Sequence, residues 1–212
     1  MTEPPRQVVL ALLLLTFVTG IVDAVSVLGY HVFTANMTGN IVFFGFALAG
    51  NVASTVSLSL VALASFMAGA VIGGRVANGL RARWLVVGFG MEVAMLTAAT
   101  LVAFHAGPAH ALVSLLGLAM GLRNAITRKL AVPDLVTTVL TLTVTGLAAE
   151  SSLAGGSNPR WQRRIAAVVA MLSGACSGAA LLSFGPGPAV GVATLIEALA
   201  LVLLARAASS FV

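Results

Sequence analysis

The sequence predicts an all-α membrane protein: a polytopic helix bundle of about six transmembrane helices plus two re-entrant or broken segments, arranged as an inverted internal repeat. Three observations carry this. The chain is too apolar to cover itself in water, its apolar runs are near membrane-crossing length, and its basic residues fall on one side only under one threading.

The 212 residues are 59% hydrophobic and 8% charged, with mean hydropathy +1.08. That leaves too few polar side chains for a water-soluble surface, so the expected environment is a lipid bilayer. A net charge of +5 and a pI near 11.1 raise the question of nucleic acid. No basic stretch is interleaved with stacking aromatics, however, and basic residues in such a chain serve as topology signals. Nucleic acid is therefore excluded as a partner. Cys176 is the single cysteine, which rules out an internal disulfide. Val8 to Val18, after Arg6, has the look of a signal-peptide core, but apolar segments continue to the C-terminus, so the stretch reads as the first span.

Eight apolar segments follow in order: Gln7–Tyr30, Thr34–Gly50, Val56–Gly74, Trp84–Phe104, Ala109–Ile126, Pro133–Ala149, Ile165–Phe184 and Pro188–Leu204. Gly107-Pro108, Pro133 and Gly185-Pro186-Gly187-Pro188 punctuate them by starting or stopping helices. The most polar connection runs from Glu150 to Arg164. No soluble domain interrupts the chain, so residues 1–212 form one integral membrane domain.

The chain also repeats itself, with halves of roughly residues 7–105 and 109–207. Gly20-Ile21-Val22-Asp23-Ala24-Val25 matches Gly121-Leu122-Arg123-Asn124-Ala125-Ile126, and Phe33-Thr34 to Thr38 matches Val136-Thr137 to Thr141. Met67 to Gly73 then lies over Leu172 to Gly178, and Glu92 over Glu197.

Charge counting orients the halves. If all eight segments cross, Arg6, Arg160, Arg163, Arg164 and Arg206 oppose Arg75, Arg81, Arg83, Arg123, Arg128 and Lys129, and no side is favoured. If the second and sixth segments leave by the face they enter, all eleven basic residues fall on the cytoplasmic side. Each half then has an odd number of crossings, so the halves are inverted and both termini are cytoplasmic, in a cell inner (plasma) membrane.

The same two segments carry polar interiors. Thr34 with Thr38 and Asn36 with Asn40 are i, i+4 pairs, and Thr137, Thr141 and Thr145 form a stripe of the same period. Non-spanning backbone at membrane depth survives only where protein buries it or a cavity bathes it. Asn36-Met37-Thr38-Gly39-Asn40 suits such a place because it supplies donors, acceptors and a glycine. The alternative is that the threonines bond their own helix and the asparagines join neighbouring helices.

Asp23, Glu92 and Glu197 lie inside apolar segments, where a charge at helix centre costs roughly 2.5–3.5 kcal/mol on insertion scales. Such acids face the interior and are paired, wet or protonated. Glu92 and Glu197 occupy equivalent positions and are candidates for proton coupling, or for hydrogen-bonded packing. Asp23 stands opposite Asn124 in the repeat, with Arg123 as a distant counter-charge.

Gly69, Gly73, Gly74, Gly174 and Gly178 have small-xxx-small spacing, which serves helix packing or a homodimer. His31, His105 and His110 fall at segment ends without metal-ligand spacing, and no metal or cofactor is expected. No zinc-protease, nucleophile-elbow or phosphate-loop motif occurs, so an enzyme is not expected.

The Gly20-to-Ala24 run, Asn36-Met-Thr-Gly-Asn40, Gly73-Gly74-Arg75 and Val132-Pro-Asp-Leu-Val-Thr-Thr-Val-Leu-Thr141 resemble the YoaK family of small bacterial membrane proteins of unknown function. The resemblance covers nearly the whole chain and implies a roughly six-span inner-membrane protein; it supplies no substrate. Where the family follows Val-Leu-Thr with Gly-Thr, this chain has Leu142-Thr143. Gly74 to Arg83 also resembles the short cytoplasmic loop of major-facilitator transporters, which implies a working unit of two chains.

Two functional expectations follow. One is a secondary transporter or channel for a small solute, with a polar site between inverted halves formed by Asp23, Asn36, Thr38, Asn40, Asn124, Thr137 and Thr141. The other is a non-transporting membrane protein, an assembly or sensory partner whose glycine faces bind other helices. A wet cavity reaching Asp23 favours the first, and a dry interior the second.

Overall fold

The computed structural model describes residues 4–50, 56–80, 83–135, 137, 138 and 140–211. The described chain is helical: α1 (Arg6–Tyr30), α2 (Met37–Leu48), α3 (Val56–Gly79), α4 (Trp84–Phe104), α5 (Ala109–Leu130), α6 (Thr141–Ala149), α7 (Trp161–Leu182) and α8 (Pro186–Phe211). Six of these are long and apolar enough to cross a membrane. The other two are short. At 1.5 Å per residue, the 12 residues of α2 and 9 of α6 reach about 18 and 14 Å, well under the ~30 Å of a hydrocarbon core.

Two poles emerge from the packing. At one, Val8 of α1, Ala77 of α3, Trp84 of α4, Leu135 after α5, Ala167 of α7 and Leu204 of α8 share a single apolar cluster. At the other, Tyr30 and Val32 at the end of α1 meet Leu58 of α3 and Val113 of α5, and Ser57 lies 3.3 Å from His110. The end of α1 and the start of α3 thus share one pole, so α2 returns to the pole it left. The end of α5 and the start of α7 share the other, and α6 does the same there.

Basic residues mark the first pole. Arg6, Arg75, Arg83, Arg128, Lys129, Arg160, Arg163, Arg164 and Arg206 sit at helix ends that meet there; Arg81 lies outside the described residues. Arg123 is the exception. It is fully buried inside the bundle and is no topology signal, which corrects its place in the sequence count. His31 and His105 cap the C-terminal ends of α1 and α4, and His110 is in the first turn of α5, at the opposite pole.

Close helix crossings set the core. A side chain at Gly121 of α5 would stand 2.0 Å from the Phe66 carbonyl oxygen of α3, and one at Gly20 of α1 would stand 2.4 Å from the Met171 carbonyl oxygen of α7. Gly69 meets Leu118, and Gly174 meets Phe17; Gly73 meets Leu122 and Ala125, and Gly178 meets Ile21 and Ala24. Each of these contacts of α3 with α5 has its counterpart between α7 and α1 under the sequence alignment of the halves. These glycines are spent on packing within the chain, while Gly74 faces open space.

Helix boundaries depart from the sequence reading in the two short segments. The second begins its helix at Met37 rather than Thr34, and the sixth at Thr141 rather than Pro133. Thr34, Asn36 and Thr137 therefore precede the helices, and the threonine and asparagine stripes drawn through them are not helical faces. Before α2 the physical reason is that the Thr34 and Ala35 amides are spent on Asp23 of α1, and the Phe33 amide on Asn40, instead of on a helical ladder.

Candidate functional site

The turn after α1 is built around Asp23. His31 stops the helix in the left-handed region at φ 57°, and the chain doubles back until Thr34 and Ala35 donate their amides to Asp23 Oδ1 at 3.1 and 3.0 Å. Asp23 lies about two turns from the end of α1, so the returning chain stands roughly 10 Å inside that end. Asn40 clamps the loop from α2. Its Oδ1 accepts from the Phe33 amide at 2.8 Å, and its Nδ2 donates to the Phe33 carbonyl at 2.6 Å. Ser26 and Thr34 pair their hydroxyls at 3.2 Å. Gly39 leaves room for the Phe33 ring, which would stand 2.6 Å from any side chain there.

The second break follows the same plan with other chemistry. Ala131 stops α5 at φ 51°, and Thr138 donates its hydroxyl to Asn124 Oδ1 at 2.8 Å. This loop is latched outside the spans by ion pairs. Asp134 accepts from Arg160 at 2.5 Å and from Arg164 at 2.8 Å, and Arg164 also donates to Glu150 at 2.8 Å. Burial acts to raise the Asp134 pKa, but the hydrogen bonds and charges of the two arginines outweigh it and hold the carboxyl below its ordinary value.

The N-terminal ends of α2 and α6 border one common pocket. This pocket, of about 580 Å³, is lined by Asp23, Asn36, Thr38, Thr138 and Thr141, with Phe33, Phe43 and Met171 supplying apolar wall. Of the residues expected at a site, Asp23, Asn36, Thr38 and Thr141 are gathered here. The other three are placed differently. Asn40 is buried and serves the Phe33 clamp, and Asn124 lines a separate, largely apolar pocket with Phe66, Arg128 and Leu142. Thr137 is fully buried, and its hydroxyl has no partner among the described residues.

Glu92 and Glu197 meet, and they meet on Arg123. Arg123 Nε donates to Glu92 at 2.6 Å and Nη2 to Glu197 at 2.5 Å. Its Nη1 donates to the Leu15 carbonyl at 2.7 Å and to the Thr19 hydroxyl at 2.8 Å. All three charged side chains are fully buried. The cluster joins α1, α4, α5 and α8 at one point.

Arg123 is the residue that sequence reasoning misses, because in sequence it reads as a distant counter-charge to Asp23. A signal was present: an arginine inside an apolar segment carries the same insertion cost as a buried acid and demands an acidic partner at its depth. Thr138 was also missed. It follows Thr137 by one position, and its place before the start of α6 brings it to the pocket.

A family described as protein of unknown function (DUF1275) matches residues 11–204 of the chain. The UPF0700 transmembrane protein YoaK of Bacillus subtilis (strain 168) is 36% identical over 149 residues, covering 67% of this chain and 65% of that protein. The matched stretch thus spans just under two thirds of that relative's length. No solved structure matches.

Proposed function

The chain belongs to the DUF1275 family of proteins of unknown function, and from that premise we propose that it is a membrane transport protein, a secondary transporter or channel for a small polar solute. The supporting observation is the central pocket. Two half-length helices enter from opposite poles and bring their N-termini to a polar space of about 580 Å³, within the range of small-molecule sites. Helix N-termini at mid-depth present unpaired amides and a positive dipole end, while Asp23 supplies the opposite charge. The solute would contact Asp23, Asn36, Thr38, Thr138 and Thr141.

We read the two halves as inverted copies, on the support of the matching glycine contacts and the opposed directions of α1 and α5. The basic pole is read as cytoplasmic, with both termini there, in a bacterial plasma membrane. The rival reading, an assembly or sensory partner, drew on exposed glycine faces. Gly69, Gly73, Gly174 and Gly178 are occupied within the chain, which leaves that reading without its main argument.

The test uses Thr38→Cys and Thr141→Cys in a Cys176→Ala background, in lipid nanodiscs. A small polar thiol reagent should modify both. A metabolite panel screened by thermal shift should yield a ligand that protects both, since ligand at 100 times its Kd adds about 2.7 kcal/mol of stability. If both cysteines stay unmodified, the pocket is sealed from water and the transport reading fails.

A further inference from the structure

Arg123 is one cation held between two acids, and the count does not balance. With both carboxyls ionised, Glu92, Glu197 and Arg123 would leave one net negative charge in a fully buried site, an arrangement that low-dielectric surroundings strongly disfavour. Other charged groups do not repair the deficit. Arg123 also feels Asp23 of α1, which adds negative charge. The charged groups acting on Glu197 are Arg123 and Glu92.

Hydrogen bonding shows the same deficit independently. Each glutamate uses one oxygen on Arg123, and the other oxygens, Glu92 Oε2 and Glu197 Oε1, are buried with no donor among the described residues. The two carboxyls are gathered on a single guanidinium, one at Nε and the other at Nη2. Two carboxylates gathered on one cation repel when both are ionised, since each offers only acceptors. A single proton between them satisfies both and brings the cluster to zero charge.

We propose that Glu92 and Glu197 hold one proton between them, which makes the Glu92–Arg123–Glu197 cluster a proton-binding site of the bundle. The proton enters from water as H⁺ and leaves as H⁺, taking the cluster between zero and one negative charge. Release exposes an uncompensated charge, so it requires water to reach the junction of α1, α4, α5 and α8. Under the transport reading this proton is the coupling ion, but the site stands without that reading.

Infrared spectroscopy of the purified chain in nanodiscs at pH 7 tests the assignment, with the proton as its own probe. The wild type should show one protonated-carboxyl C=O band per chain. That band should disappear in Glu92→Gln and also in Glu197→Gln, because the remaining carboxylate then forms a neutral pair with Arg123. Asp23→Asn and Glu150→Gln should keep it. Should the glutamine variants not fold, isotopic labelling of wild-type protein decides: the band should shift with ¹³C-glutamate and not with ¹³C-aspartate. Absence of the band, its survival in both glutamine variants, or a shift with labelled aspartate overturns the proposal. None of these outcomes affects cysteine accessibility at Thr38 and Thr141, so the two ideas fail separately.

Discussion

Asp23→Ala and Asp23→Asn should part company, and the size of the gap follows from two hydrogen bonds. Asp23 Oδ1 receives the amides of Thr34 and Ala35, and the turn that delivers α2 to mid-depth has these amides anchored nowhere else in the structure described. Alanine leaves two partly buried donors unmet, at about 1–3 kcal/mol each, so a loss of roughly 2–6 kcal/mol is expected. Asparagine keeps an acceptor oxygen and gives up only the charge assistance, about 1 kcal/mol per bond or roughly 2 kcal/mol in all. Asn124 already serves Thr138 in this neutral form. Thermal unfolding in nanodiscs, with limited proteolysis at residues 31–36, measures both. Under the transport proposal, solute flux should fall in the asparagine variant despite its fold, because Asp23 is the acid that lines the pocket. Equal melting temperatures for the two variants would refute the capping role.

Gly20→Ala and Gly121→Ala should each cost about 1–3 kcal/mol in thermal unfolding, since backbone on the facing helix blocks the new methyl; Gly74→Ala, with nothing nearby, should be neutral or stabilise by up to about 1 kcal/mol. Arg123→Met should lower stability by about 3–5 kcal/mol, as it leaves two buried carboxyls without their cation, and adding Glu92→Leu and Glu197→Leu to it should restore much of the loss. Asp134 is held below its usual 3.8, so its contribution is fully present above that pH and lost as pH falls through the folded value. An acid titration of melting temperature should therefore be steeper for wild type than for Asp134→Asn. Cysteines at Arg83, Arg128 and Arg160 in a Cys176→Ala background should label from one face only, and opposite labelling of the Arg83 and Arg160 positions would overturn the shared pole.

Composition alone determined the class of this protein, because a chain so poor in charge has no water-soluble arrangement, and the length of its apolar runs determined the six long helices. Charge placement also located the two segments that turn back, since a topology error scatters arginines across both faces. The candidate acids were legible for the same reason: a buried charge is costly wherever it points. What those acids touch was decided by tertiary structure. Glu92 and Glu197 stand 105 residues apart in sequence, and only the meeting of α4 and α8 on α5 brings both to Arg123. Likewise the identity of the pocket wall depends on where α2 and α6 begin, and side-chain hydrogen bonds from Asp23, Asn40 and Asn124 set those starts in place of helix propensity. Sequence patterning fixes what must be buried; which buried groups face one another is settled only when the helices cross.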